Sequence, residues 1–284
     1  MVSRYMRMWW VLVWCVMLFA AYTETLLGGI KATPTMVLIQ SPSRTGSITV
    51  QNSTVDQDQE IWIDFEYGYQ VPGEGGKFQI INPTSDSGGV RSASEWLRAY
   101  PQRFTIPPGG LQVVRIVTAP PPNLLDGEYV ARIQINSKLS KPRTGSKNLT
   151  GRISVGFEII EKSDLPFHYR RGILSTGLIV RDVKTTNIKD TLQVAVDLTR
   201  SGNTSYWGTA ACRLKDKDGK VVGILKKGVV VYSDGIYLFK LNIAKVTNGA
   251  YTLDLDMKSE LTSAKKEYVV RAEPVHYSTS VNLP

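Results

Sequence analysis

Ser94–Asn136 reads S-E-W-L-R-A-Y-P-Q-R-F-T-I-P-P-G-G-L-Q-V-V-R-I-V-T-A-P-P-P-N-L-L-D-G-E-Y-V-A-R-I-Q-I-N. It contains two runs rich in β-branched residues, Leu111–Thr118 and Tyr129–Ile135, each entered through a turn. The first turn is Pro107-Pro108-Gly109-Gly110 and the second is Asp126-Gly127. Proline fixes φ and glycine supplies φ > 0, so both turns have a mechanism. In the second run Tyr129, Ala131, Ile133 and Ile135 alternate with Val130, Arg132 and Gln134. That period of two belongs to a strand with one buried face. The stretch therefore reads as part of an antiparallel β-sandwich.

Working outward, the same grammar fills both flanks. Strand-like runs before it include Met36–Gln40, Ser47–Asn52 and Ile61–Tyr67, with Ile61 and Ile63 facing inward if the alternation holds. After it come Ile153–Ile160, Gly177–Thr185, Leu192–Thr199, Tyr206–Asp216, Ile236–Ile243, Tyr251–Met257 and Lys266–Arg271. No segment sustains a 3.6-residue period. Asp126-Gly127-Glu128-Tyr129 and Asn248-Gly249-Ala250-Tyr251 share the pattern [DN]-G-x-Y at the start of an alternating strand. A tyrosine there is the tyrosine corner of immunoglobulin-like sandwiches. Two copies, each late in its half, point to two related sandwiches joined near Arg170–Thr176.

The N-terminus reads as an export signal. Arg4 and Arg7 precede an uncharged apolar run, Met8–Ala21, too short for a comfortable membrane span and ending in the small residues Ala20 and Ala21. The expected organisation is a signal peptide over 1–23, a first domain over 33–170, a second over 171–273 and a tail over 274–284. The formal net charge of +9 loses two when Arg4 and Arg7 are removed. Modest basicity favours acidic partners but says nothing about fold, and without a dense basic stripe nucleic acid is not expected. After processing Cys212 is the one cysteine left, so no internal disulfide forms.

Motifs for covalent chemistry are lacking. The two histidines, His168 and His276, have no second ligand at metal spacing. There is no G-x-S-x-G and no Walker-type loop. Neither an enzyme, a cofactor, a metal nor a small-molecule substrate is expected. Ser137–Arg152 stands apart, with five basic residues and no acid. It reads as a solvated hairpin loop or as a basic loop that orders on a partner.

Taken in order, several segments resemble one family, the periplasmic pilus-assembly chaperones of PapD type, with two immunoglobulin-like domains set at an angle. Pro34-Thr35-Met36-Val37-Leu38 resembles the family's opening P-T-R-Φ-Φ, where Φ is apolar. Trp96-Leu97 with Pro101–Gly110 resembles the segment ending in the first domain's P-G turn, and Asp126–Tyr129 resembles its strand F. Leu165-Pro166-Phe167-His168-Tyr169-Arg170 and Arg200-Ser201-Gly202-Asn203-Thr204-Ser205-Tyr206-Trp207-Gly208 resemble motifs of the archaic, or alternative, chaperone–usher branch.

The resemblance implies an all-β protein of the periplasm. Its partners would be pilus or fimbrial subunits and an outer-membrane usher. It implies an inter-domain ion pair between Glu128 and Arg170. It also implies donor-strand complementation, in which the chaperone lends a strand to a subunit that lacks its own. The strand lent would be the last of domain one, where Val155, Phe157 and Ile159 form an apolar row. That row equally fits the domain's own core, and the sequence leaves both open. One departure is clear. The family's opening Arg, which binds the subunit's terminal carboxylate, falls on Met36, and its accompanying Lys falls near Pro166. A secreted immunoglobulin-like structural or adhesion module without chaperone activity is the alternative this departure supports.

Overall fold

The structure, a computed structural model, describes residues 29–140, 159–261 and 266–283. The expected signal peptide lies outside the described residues, as do Val155, Phe157 and most of the basic loop.

Nineteen strands appear among the described residues. The first twelve are β1 (Ile30–Thr33), β2 (Val37–Gln40), β3 (Thr45–Asn52), β4 (Gln59–Glu66), β5 (Tyr69–Pro72), β6 (Phe78–Ile81), β7 (Arg91–Ser92), β8 (Leu97–Tyr100), β9 (Arg103–Ile106), β10 (Leu111–Thr118), β11 (Gly127–Leu139) and β12 (Ile160–Arg171). The rest are β13 (Thr176–Ile188), β14 (Thr191–Gly202), β15 (Tyr206–Lys215), β16 (Val221–Val231), β17 (Gly235–Asn242), β18 (Gly249–Lys258) and β19 (Val275–Leu283).

They form two immunoglobulin-like β-sandwiches. In the first, a sheet β1-β3-β10-β8 faces a sheet β2-β12-β11-β4-β9. Alternation drives this packing. Ile48 and Val50 of β3, and Val114 and Ile116 of β10, meet Ile61, Ile63, Ile133, Ile135 and Phe167, all fully buried. In the second, β13-β14-β17 faces β16-β15-β18-β19. Val194, Val196, Leu198, Phe239, Leu253, Leu255 and Met257 fill that core, with Cys212 buried among them. Burial of such side chains contributes about 1.5–3 kcal/mol each.

Three findings differ from the sequence reading. First, residues 274–284 are no tail, because Val275–Leu283 pairs with β18 from Met257 to Gly249. Its inward positions, Val275, Tyr277, Thr279, Val281 and Leu283, alternate with exposed His276, Ser278, Ser280 and Asn282, the period of a strand with one buried face. Lys266–Tyr268, expected within a strand, is instead a short 3-10 turn. Second, β11 continues through Ser137 and Leu139, residues assigned above to the basic loop. Third, β11 is buried on both faces from Gly127 to Ile133 rather than on one. Its second face is covered by the other sandwich and by the β5–β6 hairpin, which leaves the main sheets to pack on that side.

The tyrosine-corner pattern occurs three times, one more than the sequence reading found. Asp234-Gly235-Ile236-Tyr237 is the added copy. Each tyrosine hydroxyl donates to the carbonyl four residues upstream: Tyr129 to Leu125 at 3.0 Å, Tyr237 to Ser233 at 3.2 Å and Tyr251 to Thr247 at 2.6 Å. Tyr129→Phe and Tyr251→Phe are each expected to lose about 1 kcal/mol, the net value of one such bond. Urea unfolding at unchanged m-value checks this, and a loss below about 0.3 kcal/mol would deny the corner any stabilising part.

Candidate functional site at the domain joint

Glu128 and Arg170 stand directly opposite each other on β11 and β12. Arg170 Nε donates to Glu128 Oε2 at 2.7 Å, and both side chains are buried. Both residues belong to the first sandwich. The pair therefore does not itself cross the joint, contrary to the inter-domain pairing the resemblance implies. Adjacent registered strands leave no other placement for them.

The crossing is made by what the pair holds. Glu128 Oε1 accepts the Ser205 N–H at 3.1 Å and also the Ser205 hydroxyl. Trp207 Nε1 donates to Ser205 Oγ at 2.7 Å. The Arg170 guanidinium lies 4.6 Å from the Trp207 ring centroid, and its Nη1 donates to the Tyr268 carbonyl. His168 Nδ1 is 3.3 Å from Glu128 Oε2, its ring meets Trp207 edge-on at 5.0 Å, and its Nε2 is 3.2 Å from the Tyr232 hydroxyl. Ser205, Trp207, Tyr232 and Tyr268 all come from the second sandwich.

The electrostatics follow from burial. Desolvation alone would push the Glu128 carboxyl up. His168, Arg170 and Ser205 together outweigh it and hold the group well below the usual carboxylate range. Burial, with the Glu128 charge beside it, pushes the Tyr232 phenol up. Glu128, His168 and Tyr232 thus line up as an acid, an imidazole and a hydroxyl. All three are buried, so the arrangement fixes two domains rather than presenting a nucleophile to solvent.

Local chain chemistry puts these groups in place. Gly127 has φ 132°, and a Cβ there would stand 2.1 Å from Arg91 Nη2 and 2.7 Å from the Asn203 carbonyl. That closeness lets the Glu128 N–H donate to the Asn203 carbonyl at 2.9 Å. Asn203 also ties the connector, accepting from Ser175 N–H and donating to the Ile173 carbonyl, both at 2.9 Å. Arg200 Nη1 donates to the Thr204 carbonyl at 2.8 Å, closing the turn. Gly172, with φ 66°, would place a Cβ 1.8 Å from Asp126 Oδ1.

A second bridge went unread in the sequence. The β5–β6 hairpin leaves the first sandwich and lies against β17. Tyr69 stacks near Tyr67 and Tyr232, with centroids 6.0 and 5.8 Å away, and Phe78 approaches Tyr237 at 6.1 Å. Gly76 at the turn sits against Leu238, and Lys227 Nζ lies 5.6 Å from the Phe78 ring. The signal was Tyr67-Gly68-Tyr69 followed by a glycine turn and Phe78, an aromatic cluster with no place in the first core.

The remaining site residues divide. Ile159 is exposed and directly precedes β12. On the side away from β11, β2 pairs in parallel with Phe167–Arg170 only. Among the described residues no strand covers the outer edge of β12 from Ile160 to Pro166. Met36 and Pro166 are half-buried. Pro166 faces Arg132 across the register, whose guanidinium contacts Asp164, Glu66 at 3.5 Å and Asn82 at 2.7 Å.

No family model and no curated protein matches the chain. Among solved structures, the YadV chaperone is similar at 11% identity and a TM-score of 0.44, covering 89% of this chain and 99% of its own. The CsuC–CsuE chaperone–tip adhesion subunit complex from archaic chaperone–usher Csu pili of Acinetobacter baumannii gives 12% identity, 87% and 97% coverage and a TM-score of 0.40. The E. coli chaperone DraB gives 11% identity, 88% and 96% coverage and a TM-score of 0.39.

Proposed function

We propose that this chain is a periplasmic chaperone that binds pilus or fimbrial subunits by lending them a strand and passes them to an outer-membrane usher. One observation carries the reading: the outer edge of β12 from Ile160 to Pro166 is unpaired among the described residues. An unpaired edge beside an apolar row is a template for an incoming strand. Natural sheets blunt such edges unless they are used. Pro166, which lacks an N–H, sits at the last uncovered position, where an edge tolerates proline. The rigid joint supports the reading too, because a fixed angle between sandwiches presents that edge in one orientation. The signal peptide over 1–23, and domains over 33–170 and 171–273 extended by β19, complete the proposal. No covalent step and no cofactor are part of it.

The test is co-expression with a subunit lacking its final strand. The native chain should co-purify with that subunit and keep it soluble. Phe157→Glu should reduce the recovered complex roughly thirtyfold, since burying one unpaired charge in an apolar groove costs about 2 kcal/mol or more. Circular dichroism should show the variant folded. If it unfolds, the row packs the chain's own core. If it stays folded and still binds, the strand lent lies elsewhere.

A further inference from the structure

We propose that the outer face of the β1-β3-β10-β8 sheet docks an acidic segment of a partner polypeptide whose apolar side chains alternate with carboxylates. This face belongs to the sheet opposite β12 and is independent of the strand-lending edge.

The inward positions of β10 fill the core, so Leu111, Val113, Arg115 and Val117 point outward. Register sets Tyr100 of β8 beside Arg115 and Arg98 beside Val117. Leu111, Val113 and Tyr100 are 63%, 53% and 59% exposed, a contiguous apolar strip on a face where water would favour polar groups. Single exposed apolar residues need no explanation, but a contiguous strip marks an interaction site. Tyr100, Val113, Arg115 and Val117 also line an open groove of about 460 Å³, room for apolar side chains of a ligand.

The charge on this face has one sign. Lys31, Arg98 and Arg115 project from it, and apart from the apolar strip and Val117 its outward positions are Thr, Ser and Gln. Its four strands carry no acidic residue, and none of the three cations has a carboxylate partner within 4.0 Å among the described residues. This contrasts with the outer face of β15-β18-β19, where Arg213 and Lys215 are paired to Asp256 and Asp254. Arg98 Nη1 is held by the Glu95 and Leu97 carbonyls at 2.9 and 2.7 Å, and Arg115 lines the groove; cations without a carboxylate beside an apolar groove select a ligand with carboxylates around apolar groups.

Other occupants fit less well. A second copy of this chain carries +9, or two fewer without Arg4 and Arg7, and would be repelled. Lipid-binding patches gather about four to eight basic residues, against three here, and a flat bilayer makes no use of a groove. The β8 edge, four residues long and ended by Pro101, is too short for strand addition. Recognition therefore runs through side chains on the face.

The experiment uses the full processed chain, isotopically labelled, and a synthetic heptapeptide, acetyl-Glu-Leu-Glu-Phe-Glu-Leu-Glu-amide, with its Lys-for-Glu twin as control. The acidic peptide should shift the amide resonances of Tyr100, Val113 and Arg115. Binding should weaken severalfold as salt rises from about 20 to 300 mM, because exposed charges are screened. The twin should leave those amides unmoved. Arg98→Glu with Arg115→Glu should weaken acidic-peptide binding at least tenfold and admit the twin. Both side chains are exposed, so the fold should be kept. Val113→Ser with Tyr100→Ser is the alternative variant, expected to lose at least fivefold. Shifts confined to other surfaces, equal binding of the twin, or phosphatidylglycerol vesicles moving these amides when the peptide does not would each overturn the proposal.

Discussion

Glu128→Ala is expected to lower the free energy of unfolding by about 3–5 kcal/mol, the cost of stranding one member of a buried ion pair. Arg170 would keep its charge at 2% exposure with its carboxylate gone, and Ser205 would lose the oxygen it donates to. Replacing both partners at once, as Glu128→Gln with Arg170→Met, should cost clearly less than the sum of the single changes, because no charge is left buried. Unfolding in urea checks the magnitude. A loss under about 1 kcal/mol for Glu128→Ala would mean that solvent reaches the pair and screens it.

The same group sets an acid limit. Its folded pKa lies below its ordinary value of 4.5, so the folded state binds fewer protons than the unfolded one. The stability it contributes is fully present above about pH 4.5 and is lost as pH falls towards the folded value. Glu128→Gln removes that contribution, so its stability should stay flatter between about pH 5 and 2 than that of the native chain. Parallel slopes for the two proteins would refute the assignment.

Trp207→Ala carries the second large effect, again about 3–5 kcal/mol for truncating a fully buried aromatic residue. Trp207 is 2% exposed, stacks beneath Arg170, meets His168 edge-on and donates to Ser205. Its removal takes material from the joint itself, so the two sandwiches should uncouple. Calorimetry should then resolve two transitions, against one expected for the native chain. Trp207→Phe should keep most of the packing and lose mainly the Nε1 bond, about 1 kcal/mol. A single transition moved by less than about 1 kcal/mol in Trp207→Ala would show that the joint draws its rigidity from elsewhere.

The sandwich architecture was legible because it rests on a local signal. Ile48-Thr49-Val50 and Ile61-Trp62-Ile63 state their faces in a period of two, and Pro and Gly mark the turns between. Glu128 and Arg170 were reachable through resemblance, but their partners were not. Ser205, Trp207 and Tyr232 are far away in sequence, and only packing brings them to Glu128, Arg170 and His168 in turn. β19 carries the same local signal, because Val275, Tyr277, Val281 and Leu283 alternate with His276, Ser278, Ser280 and Asn282, and only Thr279 interrupts the inward apolar row. The hairpin was not legible. Phe78 is exposed within its own sandwich and finds its partner, Tyr237, on the second one, remote in sequence.

The parallel pairing of β2 to Phe167–Arg170 has a consequence for length. It occupies the continuation of the β12 edge, so an added strand has to stop where Val37 begins. Ile160–Pro166 then offers about 23 Å of open ladder within the described residues, at roughly 3.3 Å per residue. An incoming chain that reached this end would abut Met36. If strand lending takes place as proposed, this edge is a gauge with one closed end: a guest strand would slide until its tip met that stop, and a shift of one residue would turn every side chain to the wrong face.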